Sequence, residues 1–252
     1  MAAREQPAAS PGAAATASRP LLEVVGLRAG HGRRQVVFDV DLEVAEGEVV
    51  AVFGHNGAGK TTTLNSIFGM VKPMGGEIRF ADADIAGSAA APNVRRGLTL
   101  IPAEHFVFAD LTVLDNLRLG AQLERSGDVV RRRMEQVHEV FPILDERADQ
   151  LAGTMSGGQQ RMLSIGIALM SGPRLLLLDE PSLGLSPSLV QQMMETIGRL
   201  AREEGLSVLL VEQNVVQTLP VVDRAYFMRS GRIILEESSE QLRKRSTFWD
   251  LF

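Results

Sequence analysis

With 252 residues the chain is long enough to bury a sizeable core as one domain with inserts. Its 45% hydrophobic and 23% charged residues are ordinary for a globular protein, and a net charge of −5 argues against a general nucleic-acid binder, which presents a basic face. With no cysteine, disulfides, zinc–thiolate sites and a thiol nucleophile are excluded.

Residues 1–20 are rich in Ala, Pro and Ser and lack the apolar middle of a signal peptide, so a disordered tail is expected there. No apolar run approaches bilayer length, and any membrane role has to come through a partner. From Leu21 onward, "LLEVVGLRAG" and "VVFDVDLEVAEGEVVAVF" alternate apolar and polar residues, with turn signals at Gly30–Gly32 and Glu46-Gly47. This pattern predicts two or three antiparallel strands ending in a buried strand, Val49–Phe53. A helix is expected from Lys60 to about Met70, a strand at 97–102, and a mainly helical stretch from about 112 to 170. Inside it Val130, Met134, Val137, Phe141 and Leu144 form one apolar stripe, read as core. The run Arg131–Arg133 is read as a solvated helix face. Leu175–Leu178 and Leu206–Val211 are apolar enough for central parallel strands, separated by a helix near 188–204. "AYFMRSGRIILEE" closes as a hairpin turning at Ser230-Gly231. The fold class is therefore α/β: a parallel sheet wrapped by helices, an antiparallel β-layer, and a helical insert over about 104–170.

Gly54-His55-Asn56-Gly57-Ala58-Gly59-Lys60-Thr61 fits the phosphate-loop spacing G-x-x-x-x-G-K-[ST], with a strand before it and a helix after. Its glycines let consecutive N–H groups face the β- and γ-phosphates, and the helix N-terminus adds positive charge. Lys60 supplies a point charge, and the Thr61 hydroxyl is a Mg²⁺ ligand candidate. A triphosphatase also needs carboxylates at the exit of another strand, and "LLLLDE" provides Asp179 to hold Mg²⁺ and Glu180 to orient or deprotonate the attacking water.

A second cradle lies in "TMSGGQQR", at Ser156, Gly157, Gly158 and Gln159. One nucleotide does not need both. Two subunits packed head to tail would place one chain's phosphate loop opposite the other's Ser-Gly-Gly, with ATP between them.

The phosphate loop, "MSGGQ" at 155–159 and "LLLLDE" at 175–180, in this order and spacing, resemble the nucleotide-binding subunit of an ABC transporter over nearly everything from residue 21. "NGAGKTT" at 56–62, "PSLGLSP" at 181–187 and "VEQN" at 211–214 are similar to the LivF-type subunit of branched-chain amino acid importers; urea- and amide-import subunits are close alternatives. The resemblance implies a RecA-like phosphate-loop core within 21–252, ATP and Mg²⁺ as cofactors, and contacts from Thr62 to the nucleotide. It also implies a second ATPase subunit (identical or not), membrane permease subunits, indirectly a solute-binding protein, no nucleic acid, and a place at the cytoplasmic face of the membrane.

Three positions depart from the family pattern. His31 stands where an aromatic residue, often Tyr, stacks on adenine; it is either a stacking residue or a turn residue. Ala103 stands where a Gln or Glu follows the strand at 97–102, and Glu104 next to it reaches Mg²⁺ only if the loop shifts. Gln213 stands where most of the superfamily places a His near the γ-phosphate. Gln can donate a hydrogen bond but carries no charge, which fits slow or asymmetric hydrolysis or a low-turnover, nucleotide-gated binding subunit. The apolar segment His105–Leu111 is expected either to form part of a groove for a permease helix or to pack Phe106 and Phe108 beneath the next helix. A translation or DNA-repair ATPase of the same superfamily is disfavoured by the single cassette, and a GTPase by the lack of Asn-Lys-x-Asp.

Overall fold

The computed structural model describes residues 19–104 and 107–245. The tail expected over 1–20, except Arg19 and Pro20, and the side chains of His105 and Phe106 lie outside the described residues.

In chain order β1 (Leu22–His31) and β2 (Arg34–Val44) form a hairpin, and β3 (Val49–Phe53) leads into α1 (Lys60–Phe68). Next come β4 (Gly75–Phe80), β5 (Ala83–Asp84), α2 (Ala90–Arg95) and β6 (Leu98–Ile101). Four helices follow: α3 (Val113–Gly120), α4 (Gly127–Val140), α5 (Pro142–Glu146) and α6 (Gly157–Met170). The chain then forms β7 (Leu175–Asp179), α7 (Pro187–Glu204), β8 (Ser207–Glu212) and α8 (Val215–Thr218), and ends with β9 (Arg224–Arg229), β10 (Arg232–Ser238) and α9 (Ser239–Arg243).

These strands make two sheets, a four-stranded one in the order β2-β1-β4-β5 and a six-stranded one in the order β10-β9-β3-β8-β7-β6. The first is antiparallel, and in the second only the β9–β10 pair is antiparallel. The α/β class expected from the sequence is the one observed. One strand was misplaced: Val49–Phe53 does not continue the antiparallel layer but lies between β9 and β8 in the parallel sheet. All five of its residues are buried, as a strand covered on both faces requires. The antiparallel layer is completed by β4 and β5, which the sequence pattern did not announce. In β4 only Ile78 and Phe80 are buried, and two glycines precede them.

Alternate residues of the central strands feed two cores. Ala51, Phe53, Leu176, Leu178 and Leu210 join the core shared with the helical insert. Val50, Val52, Leu177 and Leu209 join the core beneath α1 and the antiparallel sheet. This is the period of two made visible, and it works only because neither face meets water.

Smaller corrections follow from local chemistry. α1 stops at Phe68, short of Met70, because Gly69 at φ 98 closes it with an N–H bond to the Asn65 carbonyl. The stripe Val130–Leu144 is core, but it crosses two helices. Phe141 precedes Pro142, a position that disfavours helical backbone, and it leaves α4 at φ −133 before α5 begins. Within Arg131–Arg133, Arg131 and Arg132 are exposed, whereas Arg133 donates to the Met170 carbonyl at 3.1 Å and pairs with Glu124 at 3.6 Å. Arg133 thus caps the C-terminal end of α6, where orphan carbonyls and the helix dipole favour a cation.

Candidate functional site

Three parallel strands bring the candidate residues to one rim. β3 runs into Gly54–Thr61, β7 ends at Asp179 with Glu180 next, and β8 ends at Glu212 with Gln213 next. Because β8 lies between β3 and β7, the three carboxyl ends are side by side, where parallel sheets collect ligands.

The loop after β3 depends on glycine at two points. Gly59 caps α1 at φ 110, a backbone that L side chains resist. A Cβ at Gly54 would lie 2.5 Å from the Met228 carbonyl oxygen. The β9–β10 turn braces the same loop, for the Gly231 N–H donates to the Ala58 carbonyl at 2.8 Å. Ser230 and Gly231, at φ 49 and 80, give that hairpin the turn its twist prefers. His55, Asn56 and Gly57 remain exposed, with the N-terminus of α1 behind them.

Lys60 is only 3% exposed, and its ammonium donates to the carbonyls of Gly54 at 2.8 Å and His55 at 3.3 Å and pairs with the Glu180 carboxylate at 3.1 Å. The next residue, Thr61, donates its hydroxyl to Asp179 at 3.0 Å. Burial raises the Asp179 carboxyl above its ordinary value and the charge of Glu180 adds to this, while the Thr61 bond, Lys60 and Arg161 oppose it. Thr62 meets His31 Nε2 at 3.3 Å, so the ring at the end of β1 is tied to the start of α1.

Glu180 itself sits at φ 42, an uncommon backbone for a non-glycine residue. Its N–H donates to the Val211 carbonyl at 3.0 Å, and its carbonyl accepts from Arg161 at 3.3 Å. Arg161 was not singled out in the sequence, although it closes the quoted "TMSGGQQR". It is buried and also donates to the carbonyls of Pro102 at 3.0 Å and Ala103 at 3.2 Å. Burial lowers its guanidinium to about 10, with Glu212 and Asp179 opposing. Glu212 is buried too, its carboxylate taking the N–H groups of Ser182 at 2.8 Å and Gln213 at 3.1 Å. The loop after β6, the exit of β7 and the exit of β8 are therefore drawn into one polar network.

The remaining candidates are placed less tightly. Ala103 is held by its carbonyl alone, and Gln213 is exposed. Glu104 is exposed, and the described residues hold no group of three acidic or imidazole side chains suited to a metal ion, so Glu104 does not join Asp179 and Glu180. A Mg²⁺ ion would thus meet one hydroxyl, Thr61, and one carboxylate, Asp179. That set fits an ion that takes one or two protein oxygens and leaves the rest of its sphere to phosphate and water.

Ser156, Gly157, Gly158 and Gln159 lie at the start of α6. Ser156 accepts the Gln159 N–H at 3.4 Å while the Gln159 side chain accepts the Ser156 N–H at 3.1 Å, a reciprocal cap. Ser156 and Gln159 border a groove with Phe141, Leu189 and Met193, not with the phosphate loop. A Cβ on Gly157 would meet nothing within 4 Å of its own chain.

A second groove, about 400 Å³, runs along edge strand β6 and is lined by Leu100, Ile101, Phe108, Leu119 and Ile167. Phe108 does not pack beneath α3 but is 58% exposed. Its N–H donates to Asn116 at 2.8 Å and its carbonyl accepts from Asn116 at 3.0 Å, so a buried amide fixes the exposed ring.

Residues 37–183 match the family described as ABC transporter. The chain is 45% identical over 212 residues to the high-affinity branched-chain amino acid transport ATP-binding protein BraG of Pseudomonas aeruginosa, covering 84% of this chain and 90% of that protein. It is 34% identical to the probable branched-chain amino acid transport ATP-binding protein LivF of Archaeoglobus fulgidus, covering 90% and 96%. The lipopolysaccharide export system ATP-binding protein LptB of Escherichia coli K12 is 36% identical, covering 84% and 88%. Among solved structures, a nucleotide-free ATP-binding cassette from an ABC transporter superposes with a TM-score of 0.82 at 25% identity, covering 92% of this chain and 97% of that one.

Proposed function

The chain belongs to the ABC transporter family, and from that premise we propose that it is the ATP-hydrolysing subunit of an importer for branched-chain amino acids. The observation that carries the reading is the set Lys60, Thr61, Asp179 and Glu180, gathered on one rim by the bonds at 2.8–3.3 Å described above. The cargo follows from relatives: 45% identity to the amino-acid subunit BraG against 36% to the lipopolysaccharide subunit LptB.

Lys60 uses its hydrogens on two loop carbonyls and on Glu180. Phosphate oxygens entering the loop are stronger acceptors for an ammonium than amide carbonyls and would draw it away. That exchange frees the Glu180 carboxylate to accept a proton from water, while Val211 and Arg161 hold its backbone still. Mg²⁺, held by Thr61 and Asp179, would supply charge neutralisation on the phosphates. His31, tied to Thr62, would offer its ring to adenine, and Gln213 would donate a hydrogen bond near the γ-phosphate.

The groove bordered by Ser156 and Gln159 is lined by no residue of the phosphate loop, which supports use of this second cradle by a second ATPase subunit. The apolar groove along β6, with the Phe108 ring fixed at its rim, is the surface for a permease segment, and Arg161 connects that region to Glu180 through Pro102 and Ala103. Attachment to the membrane is then through the permease, for among the described residues no helix is long and apolar enough to cross a bilayer.

Reconstitution with its permease and solute-binding protein in vesicles tests the reading. ATP-dependent uptake of labelled leucine is expected. Uptake of urea in place of leucine would move the chain to the urea and amide branch, and uptake of neither with intact ATP turnover would remove the import assignment.

A further inference from the structure

The groove along β6 continues past its apolar part. A second hollow of about 280 Å³ shares Val94, Leu123 and Ser171 with it, so the two form one trough. The character of the trough changes along its length. The end beside Leu100 and Ile101 is lined mainly by aliphatic and aromatic side chains, with Thr99, Gln122 and Ser164 among them, and the end at the start of β6 by Arg95, Arg96, Arg133 and Arg174 with a single carboxylate, Glu124.

Four guanidiniums meet at this hollow in a chain of net charge −5. Two of them are already engaged, Arg133 with Glu124 and the Met170 carbonyl and Arg174 with Glu46 at 2.6 Å. Arg95 and Arg96 are exposed, and among the described residues neither has a carboxylate partner. The backbone presents them together: Arg95 is the last residue of α2, Arg96 is its C-cap, and Gly97 at φ 95 turns the chain into β6. Opposite them, Gly172 leaves room for Arg133, since a Cβ there would come within 2.2 Å of its guanidinium. Exposed like charges repel, and a surface that concentrates them is stabilised by an anionic partner.

From this shape and charge we propose that the trough takes an amphipathic helix that is apolar along one face and acidic at one end, with its carboxylates on Arg95 and Arg96. The occupant is a cytoplasmic segment of the permease, so the inference rests on the groove assignment above. It adds the polarity of docking: the apolar stripe lies against Phe108, Leu119 and Ile167, and the acidic end points to the β6 N-terminus. Guanidinium groups suit carboxylates through paired N–H donors, and a segment lying the other way would leave its carboxylates over apolar wall.

Two labelled helical peptides test this, alike except that one carries Glu and the other Lys at one end of a common apolar stripe. Their affinity for the full chain is measured by fluorescence anisotropy. The Glu peptide is expected to bind about tenfold more tightly, as two or three partly exposed ion pairs allow. With Arg95→Glu/Arg96→Glu the preference should reverse, while basal ATP hydrolysis and thermal unfolding stay as in the parent, since both side chains are on the surface. Phe108→Ser should weaken both peptides alike. Equal binding of the two peptides, with the Phe108→Ser loss retained, would overturn the polarity and leave the groove assignment standing. Binding of neither peptide would overturn both. If the double variant loses only attachment to phosphatidylglycerol vesicles and keeps the parent's peptide preferences, the arginines face lipid and the proposal is wrong.

Discussion

The phosphate loop and the Ser156-Gly157-Gly158 turn are both backbone cradles at a helix N-terminus, yet the chain treats them differently. At the loop the polar side chains behind the exposed turn are bonded from within. Lys60 is buried with three partners, Thr61 is bonded to Asp179, and Gly231 holds Ala58 from behind. At the turn, Ser156 is exposed, and its hydroxyl serves only the cap of its own helix. Space beside Gly157 is open. A site whose groups are already bonded must exchange partners when ligand arrives. A site whose groups face outward can only be completed by something that comes to it.

The sharpest test of that contrast is Glu180→Gln, which keeps the loop and removes the proposed base. Steady-state phosphate release should fall about 10²–10⁴-fold with nucleotide binding retained; an unchanged rate would end the catalytic assignment. Next is Arg161→Met, which strips donors from three carbonyls around Glu180. A loss of about 2–4 kcal/mol in unfolding free energy is expected by denaturant titration, with slower hydrolysis in the folded fraction. Lys60→Ala should weaken ATP binding to the isolated chain about 10–100-fold, read by titration with a fluorescent analogue. In the same assay Ser156→Asn, which preserves the helix cap, should leave the isolated chain unaffected and reduce ATP-driven subunit association about tenfold. Equal losses for the Lys60 and Ser156 variants in the isolated chain would erase the distinction between the cradles. The smallest change is His31→Tyr, expected to improve ATP affinity about two- to tenfold through added stacking area.

Much of the loop was legible because its chemistry is local. Glycines at fixed offsets, a lysine and a threonine announce the conformation and the ligand together, and the strand before them is visible as an apolar run. Asp179 and Glu180 were legible for the same reason, at the exit of four consecutive leucines. What escaped is carried by contacts between distant segments. Arg161 looks like any charged residue on a helix until folding brings Pro102, Ala103 and Glu180 around it. Val49–Phe53 was assigned to the wrong sheet because a run of five apolar residues does not say which neighbours it will have. β4 was missed because its glycines dilute the alternation that Ile78 and Phe80 carry. The solvated reading of Arg131–Arg133 failed at Arg133 for a similar reason, since its partner is the end of a helix 37 positions away.

The brace between Gly231 and Ala58 sets when the loop takes shape during folding. The β9–β10 hairpin reaches back across β4 to β8 to steady the loop after β3, with the Met228 carbonyl against Gly54 in the same place. Contacts of such long range form late and slowly. A chain in which β9 and β10 have not yet docked would have Lys60 and Thr61 in sequence but without that brace, so the loop takes its final shape only after the hairpin has folded.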